Sequence, residues 1–187
     1  MKNRNTILVT ALSALACFAF SPQMRAACDS PDPGCPGGNL AEGFLALGSL
    51  STGFYNTGIG TYALLSLTDG NFSTATGAGA LFSNTGSENT AVGAGALFNN
   101  LDGTDNNAVG AFALFSNVGG SFNNAHGRDA LLNSTGDQNN AIGDDAMFFN
   151  TTGSFNTAVG DDALDNNVDG NSNVAIGGRH RFGTKRQ

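Results

Sequence analysis

The side chains here that could do chemistry are few. The chain has 187 residues and only two histidines, His126 and His180. Its acids include two pairs, in "GDDA" starting at Gly143 and again at Gly160, and the run "DNNVDGNSN" at 165–173 resembles an acidic cation loop. A hard cation needs six or more oxygens converging on one point. Asp144, Asp145, Asp161 and Asp162 could approach one another only if the chain stacks on itself. The equivalent earlier phrases read "GAGA" and "GTYA", so a repeating metal ladder is excluded and solvated carboxylates are expected. No nucleophile elbow, HExxH or phosphate loop occurs. The "GAGA" stretches at Gly77 and Gly93 lack the βαβ context of a dinucleotide loop. We therefore expect no catalytic residue, no cofactor and no resident metal.

Charge narrows the partners. All fifteen acids lie between Asp29 and Asp169, and Arg128 is the only base within 27–178. Such a body repels nucleic acid and anionic lipid. An enzyme acting on polysaccharide would need basic residues beside its carboxylates in a groove, and one arginine does not supply them.

The N-terminus reads as an export signal: basic "MKNRN", apolar "TILVTALSALACFAF", then small residues in "SPQMRAA". Residues 1–27 are expected to be removed, leaving no membrane span in a secreted or cell-surface chain. The run at 6–20 is short for a spanning helix. Two cysteines would remain, Cys28 and Cys35 in "CDSPDPGC". A local disulfide suits an oxidising compartment, whereas a metal site would need further ligands nearby. Residues 28–38 read as a Cys- and Pro-rich leader.

The remaining residues must be positioned by a repeat. The glycine ending "AVG" recurs at Gly43, Gly60, Gly77, Gly93, Gly110, Gly127, Gly143, Gly160 and Gly177, in steps of 16 or 17. Four residues before it stands Asn, except at Ser73. Two before it stands Ala, except at Gly58. Three after it stands Ala at every complete repeat, followed by Leu or Met147. A second turn glycine follows at Gly53, Gly70, Gly103, Gly120, Gly153 and Gly170.

Columns that admit only small residues face a crowded place, and columns that admit only Leu or Met face a core. Stacked coils satisfy both. A coil of this length is too short for a helix hairpin. We expect an all-β solenoid of about nine coils over 39–178, with a strand on "NTAVG". "GxxALF" would form a second short strand or a single helical turn. Asn is expected to bond its copies above and below.

The column just before the glycine reads Glu42, Ile59, Thr76, Val92, Val109, His126, Ile142, Val159, Ile176. On a strand it points away from its small neighbours. It tolerates Glu, Thr and His, so it is not sealed, yet it is mostly aliphatic. An aliphatic ridge of that kind implies a subunit interface formed by Ile59, Val92, Val109, Ile142, Val159 and Ile176. His126 is then a tolerated ridge residue rather than a catalyst. Residues 179–187 form a basic tail, and Lys and Arg can blunt an open sheet edge.

The phrase "NTAVGAGALF" at 89–98, with "NNAIG" at 139–143 and "NVAIG" at 173–177, resembles the head repeat of trimeric autotransporter adhesins, the YadA-like head of bacterial surface proteins. The resemblance covers about 39–177. It implies a left-handed β-roll, a homotrimer of side-by-side chains, and a head that binds extracellular matrix protein, glycan or cells. The period here is longer than that family's. No heptad stalk or membrane barrel segment occurs within these residues. Similar longer repeats also resemble those of tail-fibre proteins. Two readings therefore stand: an adhesin or fibre head, and a structural spacer with no ligand.

Overall fold

The computed structural model describes residues 36–178. The signal segment 1–27, both cysteines of the expected disulfide and the tail 179–187 lie outside the described residues.

The chain is a parallel β-solenoid with a single three-residue strand per coil. A short 3-10 turn, Pro36–Gly38, precedes β1. The strands are β1 Leu40–Glu42, β2 Thr57–Ile59, β3 Thr74–Thr76, β4 Thr90–Val92, β5 Asn107–Val109, β6 Asn124–His126, β7 Asn140–Ile142, β8 Thr157–Val159 and β9 Val174–Ile176. All pair in parallel, in sequence order, in one sheet. Each residue lies on its equivalent one coil later: Ala91 pairs Ala108, and Ala108 pairs Ala125. With strands ~4.8 Å apart, nine coils make a sheet roughly 40 Å long.

The connecting segments are neither a second strand nor a helical turn. They are consecutive tight turns. In the fifth coil the Ala113 N–H bonds Gly110 O at 3.4 Å, Phe115 N–H bonds Phe112 O at 3.2 Å, and Asn117 N–H bonds Leu114 O at 3.2 Å. Such turns require left-handed backbone, and three non-glycine positions adopt it in most coils. Around the fifth coil these are Asp105, Phe112 and Leu114, with φ of 58°, 58° and 53°. Left-handed geometry at an L-residue costs about 1–2 kcal/mol. It persists because these residues are clamped to their neighbours. Phe112 N–H bonds Ala94 O of the preceding coil, Leu114 N–H bonds Ala130 O of the following one, and Phe122 N–H bonds Thr104 O.

The invariant glycine of "AVG" has a steric cause. Gly93 has φ 136°, and a Cβ there would lie 2.5 Å from Gly110 O. The stacking distance leaves no room for a side chain. The Ala and Leu columns form the core: Ala108, Ala113 and Leu114 are fully buried, as are their copies in the inner coils, while Leu164 in the last coil is only partly buried.

Two buried polar ladders run beside this core. The expected one holds. Asn106 Nδ2 bonds Gly120 O at 2.8 Å and Asn89 Oδ1 at 3.2 Å, and Asn106 Oδ1 accepts the Asn123 N–H at 3.0 Å. The second ladder, Asn84, Asn100, Asn117, Ser134, Asn150 and Asn167, begins where Leu50 and Leu67 occupy the same column. Asn100 Nδ2 bonds Asn84 Oδ1 at 2.6 Å, and Asn117 Nδ2 bonds Asn100 Oδ1 at 2.7 Å. A buried amide is tolerated only when bonded, and stacking supplies the partner.

The two short coils drop one residue from an exposed turn. Thr85 runs directly into Gly86, and Thr135 into Gly136, where the long coils place Leu101 and Asp102 before Gly103. Gly86 and Gly136 therefore belong to the same second turn-glycine column as Gly53, Gly70 and Gly103.

Candidate interaction surface

From β1 to β8 each strand buries its middle residue and turns the two flanking residues outward. The outer sheet face therefore carries two columns. One is mostly Thr or Asn: Thr57, Thr74, Thr90, Asn107, Asn124, Asn140, Thr157. The other is the aliphatic ridge. Pairing sets Ile59, Thr76, Val92, Val109, His126, Ile142, Val159 and Ile176 in one line along the axis. The structure thus brings all six predicted ridge residues together. Val92 is 39% and Ile142 42% exposed, while Ile59, Val109 and Val159 are half-buried between neighbours.

His126 stands in that line with its Nε2 3.3 Å from Asn107 Nδ2. Asn124 beside it donates to Asn140 Oδ1 at 2.7 Å. From β2 to β9 neither outward column holds an Asp, Glu, Lys or Arg, and Glu42 in β1 is the one acid in the ridge column. These coils can therefore meet an apolar surface without stranding such a charge.

A second exposed feature escaped the sequence reading. Aromatic rings run along one corner in unbroken contact: Phe44 with Tyr62, Tyr62 with Phe82, Phe82 with Phe98, Phe98 with Phe115. Phe82 and Phe98 are parallel within 1°, with centroids 4.7 Å apart. The signal was present in "ALF", since Phe82, Phe98 and Phe115 hold one column. Phe82, Phe98 and Phe115 stack face to face along the axis, while Tyr62 meets Phe44 and Phe82 edge to face.

The same corner turns acidic in the later coils. Where Tyr62 and Phe112 stand earlier, the chain has Asp129, Asp145 and Asp162. Arg128 lies among the acids. It pairs with Asp129, reaches Asp145 at 3.2 Å and lies 3.8 Å from Asp144. Asp145, and next Asp129, raise the guanidinium's pKa above its ordinary value, so it stays charged. Beyond it Asp145, Phe148, Phe149, Asp162 and Asp165 line an open depression of about 200 Å³. Among the described residues no three His, Cys, Asp or Glu side chains converge on a metal position. Nor is any described helix long and apolar enough to cross a membrane.

In the two turn columns where Ala94 and Gly95 are replaced by Asp144 and Asp145, Ala94 and Asp144 are exposed, but Gly95 is buried under the Phe112 ring and Asp145 is half-buried. The cause is the aromatic corner, which covers the turn.

Comparison of the chain with protein-family models, curated proteins and solved structures finds no match.

Proposed function

We propose that this chain is an exported, non-catalytic protein that assembles side by side into a homotrimer and serves as a bacterial cell-surface adhesin or fibre head module. The observation that carries the reading is the outer sheet face, where aliphatic side chains stand in one line and are partly bare in the single chain. A flat aliphatic ridge is costly in water and matches its own copy on a neighbour. The repeat's resemblance to trimeric adhesin heads points the same way.

A structural spacer with no ligand is the second reading, and one observation favours it. The stacked part of the aromatic row, Phe82, Phe98 and Phe115, uses its ring faces internally, so that part offers no flat platform to a sugar. Retention on immobilised collagen, fibronectin or mixed glycans decides between the two. Saturable retention supports the adhesin; none on any surface leaves the spacer. Hydrolysis of a polysaccharide would contradict both.

A further inference from the structure

Two phenylalanines stand bare in strained backbone. Phe122 and Phe155 lie in the turn that leads into a strand, with φ of 59° and 60°. The same place in neighbouring coils takes Asp105, Gln138 and Ser172, at φ of 58°, 56° and 59°. Left-handed geometry suits a bulky residue least, and packing does not call for one here. Each phenylalanine is 58% exposed. Unlike Phe82, Phe98 and Phe115, neither pairs with another ring among the described residues. A strained, bare ring where a polar residue would serve points to a function.

The stacking sets their spacing. Phe122 N–H bonds Thr104 O at 3.1 Å, Gln138 N–H bonds Ser121 O at 2.9 Å, and Phe155 N–H bonds Asp137 O at 3.1 Å. The three side chains therefore stand in one file, one per coil. Phe122 and Phe155 are two coils, about 10 Å, apart, with the exposed Gln138 between them. A polar ledge runs alongside: Ser121 N–H bonds Asp137 Oδ1 at 2.8 Å, and Asp137 N–H bonds Ser154 Oγ at 3.0 Å. The Asn124, Asn140 and Thr157 column separates the file from the aliphatic ridge, so the two surfaces are distinct.

We infer that this file binds a neutral, extended, β-linked polysaccharide lying along the solenoid axis. The inference rests on the adhesin reading and names its ligand class. Such a chain offers apolar pyranose faces rimmed by hydroxyls, and two of its units span the separation of the two rings. Gln138 between the rings can donate to and accept from sugar hydroxyls, and Asp137 beside it can accept. A protein partner would seek a continuous apolar core poor in charge, which Asp137 and Gln138 interrupt. Charge sets the sugar class. All fifteen acids lie between Asp29 and Asp169, with Arg128 the only base within 27–178, so sulfated or uronate polymers are repelled.

Electrophoresis of the full chain through native gels containing mixed-linkage β-glucan tests this. The unaltered protein should be retarded, and Phe122→Ala or Phe155→Ala should each weaken binding about tenfold. The double variant Phe122→Asn, Phe155→Asn relieves the left-handed strain. It should melt no lower than the unaltered protein yet run unretarded, which separates loss of ligand from loss of fold. An unretarded unaltered chain overturns the inference. So does retardation that survives the double replacement, or equal retardation by anionic polygalacturonate. Retention on collagen that the double variant loses overturns the glycan assignment in favour of a protein ligand and leaves the adhesin reading standing. No retention on any of these surfaces removes both.

Discussion

Asn117 Oδ1 is fully buried and has no hydrogen-bond partner among the described residues, because Ser134 holds the next position in its ladder. Asn117 Nδ2 is served, bonding Asn100 Oδ1 at 2.7 Å and Gly120 O at 2.8 Å. Its oxygen waits for an amide that a serine is too short to extend. On the other side Ser134 Oγ accepts Asn150 Nδ2 at 3.0 Å.

Restoring the amide should stabilise the protein. Asn84 shows that a short coil accommodates one, since its Nδ2 bonds Gly86 O at 2.7 Å. Ser134→Asn is expected to raise unfolding stability by about 1 kcal/mol, read as a higher midpoint in urea at unchanged slope. A drop would show that this turn cannot admit the larger side chain.

Asn106→Ala tests the first ladder from the opposite direction. It removes the acceptor of the Asn123 N–H and one donor to Gly120 O, which keeps Asn117 as a partner. The orphaned, buried N–H sets the loss at about 2 kcal/mol. Equilibrium denaturation of the two proteins measures it, and a neutral result would mean that the ladder is ornamental.

The two classes of glycine should separate cleanly. Gly93→Ala places a Cβ against Gly110's backbone at a positive φ and should cost about 3 kcal/mol or more. Gly119→Ala sits in an exposed turn, where the added methyl meets only the Asp102 carboxylate at 3.0 Å. That substitution should be within about 0.5 kcal/mol of neutral. Paired thermal melts compare them.

The architecture was legible because stacking punishes change in certain columns. Gly93 cannot carry a side chain, Ala91 and Ala96 cannot grow, and each appears at one period. The strand position and the outward direction of Val92 followed from those same columns. The second Asn ladder was harder to see, because Leu50 and Leu67 open it and Ser134 interrupts it. The left-handed backbone at Leu114 was invisible: leucine has no preference for it, and only bonds to neighbouring coils hold it there. Nor did residue types reveal that Gly86 and Gly136 are turn glycines, since one lost residue shifts them out of phase. The aromatic corner lay inside a quoted phrase, yet its continuity depends on Tyr62 meeting Phe82 from a different column. The surface that would meet a partner is legible as a ridge; its occupant rests on physical argument.

The mass of the purified chain in solution tests that argument most directly. Light scattering should return three times the single-chain mass for the unaltered protein. The double variant Val109→Asp, Val159→Asp should return the single-chain mass, with its far-ultraviolet circular dichroism unchanged. A single-chain mass for the unaltered protein, with Val92 and Ile142 bare to water, would contradict the account.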